Sequence, residues 1–280
     1  MITVFSQSLR RWKWQIVGWG SVLLVITLYL MWLYKPMLEQ QAQLKNLLDA
    51  YGKEMLAFFG GAVDLFSPAG YLNFGFFSYI PVVVGILALL LGAGLVAADE
   101  EKGTLDLILA HPIPRTALFW GRWLALAVAL GAVLLLTWLG FALGLPLSGL
   151  DTTVGELLLP HISLFSVLIL FAALALFLSL VLPSRTLAAS VTAALLVASY
   201  VVTSLASVND KLAPINNLSP LKYYQGGNAV DGLNWGYLLG TLAAALIFTL
   251  LAWLLFLRRD IRVSGEHGWT LSWRWAAKKG

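Results

Sequence analysis

Six long stretches of this chain contain no charged residue, and they constrain its fold more than any other feature. They cover 14–34, 76–98, 123–144, 157–182, 186–208 and 235–257. Each is at or above the roughly 20 residues that an α-helix needs to cross the hydrocarbon core of a bilayer. Strands of a membrane barrel alternate apolar and polar residues over about ten positions, whereas these stretches are apolar all round. The sequence therefore predicts an all-α integral membrane protein with six transmembrane helices.

The composition agrees with this fold class. The chain is 60% hydrophobic and 11% charged, against about 25% charged residues in an ordinary soluble domain. We place the spans within a single transmembrane domain over 1–280, at 14–34, 76–98, 118–144, 157–182, 186–208 and 235–257. The chain contains no cysteine, which excludes disulfides, thiolate metal sites and thiol nucleophiles.

The distribution of lysine and arginine predicts the orientation. With the N-terminus inside, the cytoplasmic segments hold 13 of these residues and the outer segments hold five. The five are Lys35, Lys45, Lys53, Lys211 and Lys222. This bias follows the positive-inside rule, so we predict that both termini are cytoplasmic and that the protein lies in the plasma membrane. The net charge of +4 then reflects topology and does not indicate a nucleic-acid partner.

Two segments outside the spans have a readable pattern. The extracytoplasmic segment 36–75 contains apolar residues from Leu44 to Phe59 at near-helical spacing, which predicts an amphipathic helix. That helix would either pack over the bundle or take part in substrate exit. The cytoplasmic tail 258–280 combines tryptophans with basic residues, which is typical of a segment on the membrane surface.

The cytoplasmic loop 99–117, between the second and third spans, is the most informative stretch. It begins with three acidic residues, and negative charge is favoured at a helix N-terminus. Leu105, Ile108 and Leu109 recur at helical spacing, and Pro112 and Pro114 end the helix. This pattern predicts a short amphipathic helix, which is either an interfacial turn or a lever that another protein moves.

The same loop resembles a known family. Glu101-x-Gly103-Thr104-Leu105, followed by Leu109-Ala110-x-Pro112-Ile113-x-Arg115, is similar to the loop signature of membrane permease subunits of type-2 ATP-binding-cassette (ABC) exporters. Ser219-Pro220-Leu221-Lys222-Tyr223-Tyr224 and Arg258-Arg259-Asp260 resemble segments at corresponding positions of many such permeases. The layout of the whole chain agrees with this resemblance.

The resemblance implies a mechanism. In that family the loop forms a coupling helix, which docks in a groove of an ATP-binding subunit and transmits its closure to the membrane helices. The positions implied here act by contact and geometry, and they are Glu101, Gly103, Thr104, Leu105, Pro112 and Arg115. The resemblance also implies a dimer of permease subunits, identical or different, with two ATP-binding subunits. An N-terminal helix along the membrane would correspond to 4–14.

The chain lacks the motifs of an energy source or an enzyme. Its only Gly-Lys pair, Gly52-Lys53, is followed by Glu54 and does not fit a phosphate-binding loop, so ATP and magnesium would be bound by the partner subunit. The six charge-free stretches lack the carboxylates that ion-coupled carriers place in the membrane. We expect no catalytic residue, metal site or cofactor in this chain. A scaffold without a transport path and, less favoured, a membrane enzyme stay open as alternatives.

The fifth span is unusual for its hydroxyl groups. Thr192, Ser199 and Thr203 share one face of the predicted helix. This face is either a packing seam, where small residues let helices approach, or the polar wall of a pathway at the dimer interface. An uncharged pathway suits an amphiphilic or hydrophobic cargo, such as a lipid, a drug or an antibiotic.

Overall fold

All regular elements in the described part of the chain are helical. The computed structural model describes residues 1–44, 66–105 and 113–258. The α-helices are α1 (Ile2–Glu39), α2 (Pro68–Leu72), α3 (Ile80–Ala93), α4 (Ala97–Glu101), α5 (Arg115–Ser148), α6 (Leu158–Val181), α7 (Arg185–Ala206), α8 (Ala213–Asn216) and α9 (Trp235–Arg258). A π-helical turn lies at Asn73–Phe77, and 3-10 turns lie at Asp210–Leu212, Pro220–Tyr223 and Gly226–Asp231. The prediction of an all-helical fold is confirmed for these residues.

Five helices are long and apolar enough to cross a membrane, namely α1, α5, α6, α7 and α9. Helix α6 lies at the centre of the bundle, because 72% of its most apolar stretch is buried. In α7 the corresponding share is 17%, so most of this helix faces outward from the chain. The outward faces are apolar, as expected for helices in contact with lipid or with another membrane subunit.

The second predicted span, 76–98, differs from the observed structure. Helix α3 has 14 residues and rises about 21 Å, which is less than the roughly 30 Å of a hydrocarbon core. Before it, Pro68–Phe77 forms a second helical piece that meets α3 at 45°. Pro81 lies in the first turn of α3 and has no N–H to donate to the preceding turn, which explains the break. Counting the bent pair as one span gives six candidate spans.

Helix α1 is continuous over 38 residues. The segment 4–14, which the family resemblance assigned to a helix along the membrane, is therefore not a separate helix. About half of the predicted amphipathic segment 36–75, namely 45–65, lies outside the described residues. The tail is described only at Arg258, its first residue.

Helices α1 and α5 pack closely along a seam of glycines on α5. A Cβ atom at Gly140 would overlap Thr27 Oγ1 and lie 2.6 Å from the Leu24 carbonyl oxygen. A Cβ atom at Gly144 would lie 2.5 Å from Met31 Cβ. Thr27 Oγ1 also donates a hydrogen bond of 3.2 Å to the Thr137 carbonyl on α5. The Gly140-x-x-x-Gly144 motif thus allows the two backbones to approach closely.

One end of the bundle, which we call the basic end, brings together five helix termini. Contacts join the N-terminal parts of α1, α5 and α7 to the segment after α3 and to the C-terminus of α9. The arginines in these contacts are Arg11, Arg115, Arg122 and Arg185. The start of α1 and the end of α9 therefore lie at the same end of the molecule.

The glycine seam makes a testable prediction. We expect Gly140→Ala to destabilise the protein by about 1–3 kcal/mol, because the new methyl group overpacks the contact with α1. Gly240→Ala is the matched control, since a Cβ atom at Gly240 on α9 meets nothing within 4 Å. Thermal unfolding in detergent measures both variants. Equal unfolding midpoints would show that the seam has room for a side chain.

Candidate functional site

The site is built around a buried carboxylate at the basic end. Asp99, in α4, is 5% exposed, and its Oδ2 lies 2.6 Å from the guanidinium of Arg122 on α5. Its Oδ1 accepts a 3.2 Å hydrogen bond from Arg11 on α1. Arg122 is 8% exposed and also donates a 2.8 Å bond to the Leu95 carbonyl. Asp99 therefore ties the start of the loop 99–117 to two long helices.

The sequence did not single out this pair. The acidic run at 99–101 indicated only a helix N-terminus, and the six charge-free stretches gave no sign of an ion pair within the bundle. A signal was nevertheless present, because Arg122 lies inside the predicted third span at 118–144. A charged side chain at such a position is rare and is nearly always paired.

Gly103 and Thr104 end α4 in a defined way. Gly103 has a left-handed φ of 65° and donates from its N–H to the Glu100 carbonyl at 3.0 Å. The Thr104 N–H donates to the Asp99 carbonyl at 2.9 Å, and its hydroxyl donates to the same oxygen at 3.2 Å. This is the Schellman pattern of a helix C-terminus, which strongly favours glycine at the left-handed position. The Gly103-Thr104 part of the motif is thus explained by backbone geometry.

Glu101 binds the start of another helix. Its Oε1 accepts a 2.9 Å hydrogen bond from the Arg185 N–H, at the first residue of α7. Its Oε2 lies 3.9 Å from Arg185 Nε. A carboxylate is favourable there because the N-terminus of a helix has a partial positive charge and unpaired N–H groups. Glu101 therefore connects the end of α4 to α7.

Three predicted loop residues remain, namely Leu105, Pro112 and Arg115. Leu105 is buried in the main core cluster. Arg115, at the first residue of α5, donates a 3.3 Å hydrogen bond to the Leu257 carbonyl at the end of α9. The predicted amphipathic helix begins at the acidic residues 99–101, whereas in the structure these residues belong to α4, which starts at Ala97 and ends at Glu101 because Gly103 is left-handed. Residues 106–112, which include Pro112, lie outside the described residues.

The three hydroxyl residues of α7 make contacts within the chain. Thr192 is fully buried and donates to the Ala188 carbonyl of its own helix. The Ser199 carbonyl accepts a 3.2 Å hydrogen bond from Ser219 Oγ. The hydroxyl groups of Thr203 and Ser219 are 2.8 Å apart. The hydroxyl face of α7 thus holds the segment that begins at Ser219, and its role in a pathway stays a prediction.

A small pocket of about 190 Å³ lies beside this contact. It is lined by hydroxyl, amide and aromatic groups, and burial raises the pKa of Tyr224 well above its ordinary value. No lysine, arginine, aspartate or glutamate lines the pocket in the described part of the chain. Such a lining suits neutral groups that form hydrogen bonds.

His161 lies among aromatic rings and not among catalytic partners. Its ring centre is 5.2 Å from that of Phe77 and 5.6 Å from that of Phe141. Its Nδ1 is 2.8 Å from the Leu157 carbonyl oxygen, which can only accept, so Nδ1 holds the hydrogen. Within the described ranges, no group of three or more His, Asp or Glu residues could hold a metal ion.

The Asp99–Arg122 pair predicts a large effect of breaking it. We expect Asp99→Ala to destabilise the protein by about 3–5 kcal/mol, because Arg122 stays buried without its counter-charge. Asp151→Ala, which removes an exposed carboxylate, serves as the control in thermal unfolding. The double variant Asp99→Leu with Arg122→Met should recover most of the loss, since it removes both charges. If Asp99→Ala melts like Asp151→Ala, the ion pair does not stabilise the fold.

Comparison with known proteins identifies the family. The sequence profile described as "ABC-2 family transporter protein" matches residues 5–261, which is most of the chain. A search of curated proteins found no match. The resemblance seen in the loop 99–117 is therefore confirmed at the level of the family. The chain belongs to the ABC-2 transporter family, as a multi-pass membrane permease subunit.

Proposed function

We propose that this chain forms half of the translocation pathway of an ATP-driven exporter and couples it to a separate ATP-binding subunit. The observation that supports this best is the anchoring of the loop 99–117. Asp99 binds α1 and α5, Glu101 binds α7, and Arg115 binds the end of α9. A protein that pushes on this loop acts on four membrane helices at once.

The proposed mechanism is mechanical. The Asp99–Arg122 contact of 2.6 Å is buried and supported by further hydrogen bonds, so it is rigid. A displacement of the loop is therefore passed on to α5. Glu101 transmits it to α7 through the Arg185 N–H. At its other end α7 is bonded to Ser219 through Ser199 and Thr203. Helix α7 therefore forms a continuous connection between the loop and the opposite side of the bundle.

The proposed orientation follows from charge. The basic end contains Arg11, Arg115, Arg122 and Arg185, and the positive-inside rule places such an end in the cytoplasm. The loop then faces the compartment that contains ATP. Both the N-terminus and the tail after α9 lie on that side in this arrangement, in the plasma membrane.

The proposed complex contains two permease subunits and two ATP-binding subunits, which bind ATP and magnesium. Helix α7 is only 17% buried in its apolar stretch, and α9 is 28% buried. These outward faces are available to lipid and to a second permease subunit. Since one chain gives half a pathway, the cargo would pass between the two copies.

The anchoring of the loop makes a prediction about coupling. We expect the chain purified in mild detergent to retain an ATP-binding-cassette subunit. In that complex, Glu101→Ala and Gly103→Val should leave insertion intact and lower the amount transported per ATP hydrolysed. The first variant releases α7, and the second strains a left-handed backbone by about 1–2 kcal/mol.

Glu39→Ala, which removes an exposed carboxylate at the end of α1, is the control for this test. Normal transport per ATP by both loop variants would mean that the loop is only a turn. Absence of an ATP-binding partner would favour a scaffold without a transport path.

The absence of acidic and basic side chains from the α7 face makes a prediction about cargo. We expect amphiphilic or largely apolar compounds to stimulate ATP hydrolysis by the reconstituted complex several-fold, and small inorganic ions to have no effect. The measurement is ATPase activity in proteoliposomes against a panel of both kinds of compound. Stimulation by ions alone would contradict the proposed cargo class.

A further inference from the structure

A second feature of the basic end is a cavity of about 570 Å³. It lies between the first turns of α1, the C-terminal half of α3, and the N-terminal parts of α5 and α7. Its wall includes Arg11, Arg122 and Arg185 together with Trp12 and Trp19. The coupling proposal uses the ion pairs at one edge of this cavity and leaves the space itself unexplained.

The wall has an excess of positive charge. Three arginines line the cavity, and Asp99 is the one acidic residue that lines it in the described part of the chain. Glu101 lies next to Arg185 and offsets one further charge, so the balance stays positive. Arg10 and Lys13 on the exposed side of α1 add to the positive potential nearby. A basic pocket between helices at the membrane surface attracts anionic lipid headgroups.

Two of the arginines can reach a ligand. Arg122 forms an ion pair with Asp99 and a hydrogen bond to the Leu95 carbonyl, and it is almost completely buried. The side chains of Arg11 and Arg185 contact Asp99 and Glu101, but they are 51% and 42% exposed and keep further N–H donors accessible. Each guanidinium has five N–H donors in a fixed fork, a geometry that matches phosphate oxygens. Arg11 and Arg185 are thus the groups that would bind an anion.

Gln7, Ser8 and Gln15 also line the cavity, and the remainder of its wall is apolar and reaches the lipid-facing surface. Leu87 and Leu90 of α3 line the cavity, and Leu90 is 51% exposed on the outside of the bundle. Trp12 and Trp19 line the same space, and tryptophan favours the level of the headgroups because its ring is amphipathic. A soluble anion would contact the arginines and leave the apolar residues uncovered. A lipid would cover the arginines with its headgroup and the apolar residues with an acyl chain.

We propose that the cavity binds the headgroup of an anionic phospholipid, with the phosphate at Arg11 and Arg185 and an acyl chain along Leu87 and Leu90. The site is distinct from the hydroxyl face of α7 and does not depend on which cargo is transported. The bound lipid bridges α1, α3 and α7 at the level of the coupling loop. Lipid composition would then affect how firmly these helices are held together.

The test measures lipid binding to the full chain by native mass spectrometry in detergent. Phosphatidylglycerol and phosphatidylcholine with identical acyl chains are titrated separately, and glycerol phosphate is added as a soluble competitor. We expect one phosphatidylglycerol to bind saturably, with at least about fivefold higher affinity than phosphatidylcholine. About fivefold is the gain in affinity expected from one arginine near an anionic headgroup. Equal affinity for both lipids would overturn the proposal. Displacement of the lipid by equimolar glycerol phosphate would overturn it as well, because it would indicate a simple phosphate site.

Variants locate the binding. Arg11→Gln with Arg185→Gln should weaken phosphatidylglycerol binding about 25-fold, from about fivefold for each arginine. Arg10→Gln is the matched control, because it removes the same charge one position away on α1 and does not line the cavity. Ser8→Phe fills the cavity without changing its charge and should also weaken binding. An equal effect of Arg10→Gln and the double variant, or normal binding by Ser8→Phe, would place the lipid elsewhere.

Discussion

The buried contact between Asp99 and Arg122 determines the arrangement of the basic end. A buried arginine in a helical bundle lowers the stability of the fold unless a partner neutralises its charge and accepts its hydrogen bonds. Asp99 provides the charge and the Leu95 carbonyl accepts a second bond, so both partners come from the segment that follows α3. The chain therefore has to turn immediately after Gly94, close to α5. The position of residues 99–105, the described start of the loop 99–117, follows from this requirement.

The turn after α4 extends the same constraint to α7. The Schellman pattern at Gly103 fixes the direction in which the chain leaves α4, and Glu101 points to the first residue of α7. One short element thus neutralises a buried arginine with Asp99 and binds the N-terminus of α7 with Glu101. Under the proposed coupling function, this arrangement would distribute a force on the loop among helices that are otherwise far apart in the sequence.

Much of this architecture could be predicted from the sequence. The features that could not be predicted have a common physical cause. Helices α6, α7 and α9 begin and end within two residues of apolar stretches, because hydropathy reports directly on the bilayer. The break before α3 depends on one missing N–H at Pro81, which hydropathy does not register. Asp99 looked like any acidic residue at a helix start, since composition does not say which charges meet in space. The hydroxyl pattern on α7 did not indicate the contact of Ser199 and Thr203 with Ser219, because Ser219 lies 20 residues after Ser199 along the chain.

The glycine seam between α1 and α5 limits the motions open to this subunit. Thr27 and Met31 occupy the space where side chains at Gly140 and Gly144 would lie. The side chains of α1 therefore pack directly against the backbone of α5 at these two glycines. A slide of α1 by a single residue, about 1.5 Å along its axis, would move these side chains out of register with the glycines. We therefore expect α1 and α5 to move together as one unit. Any conformational cycle must take place between that unit and the rest of the bundle.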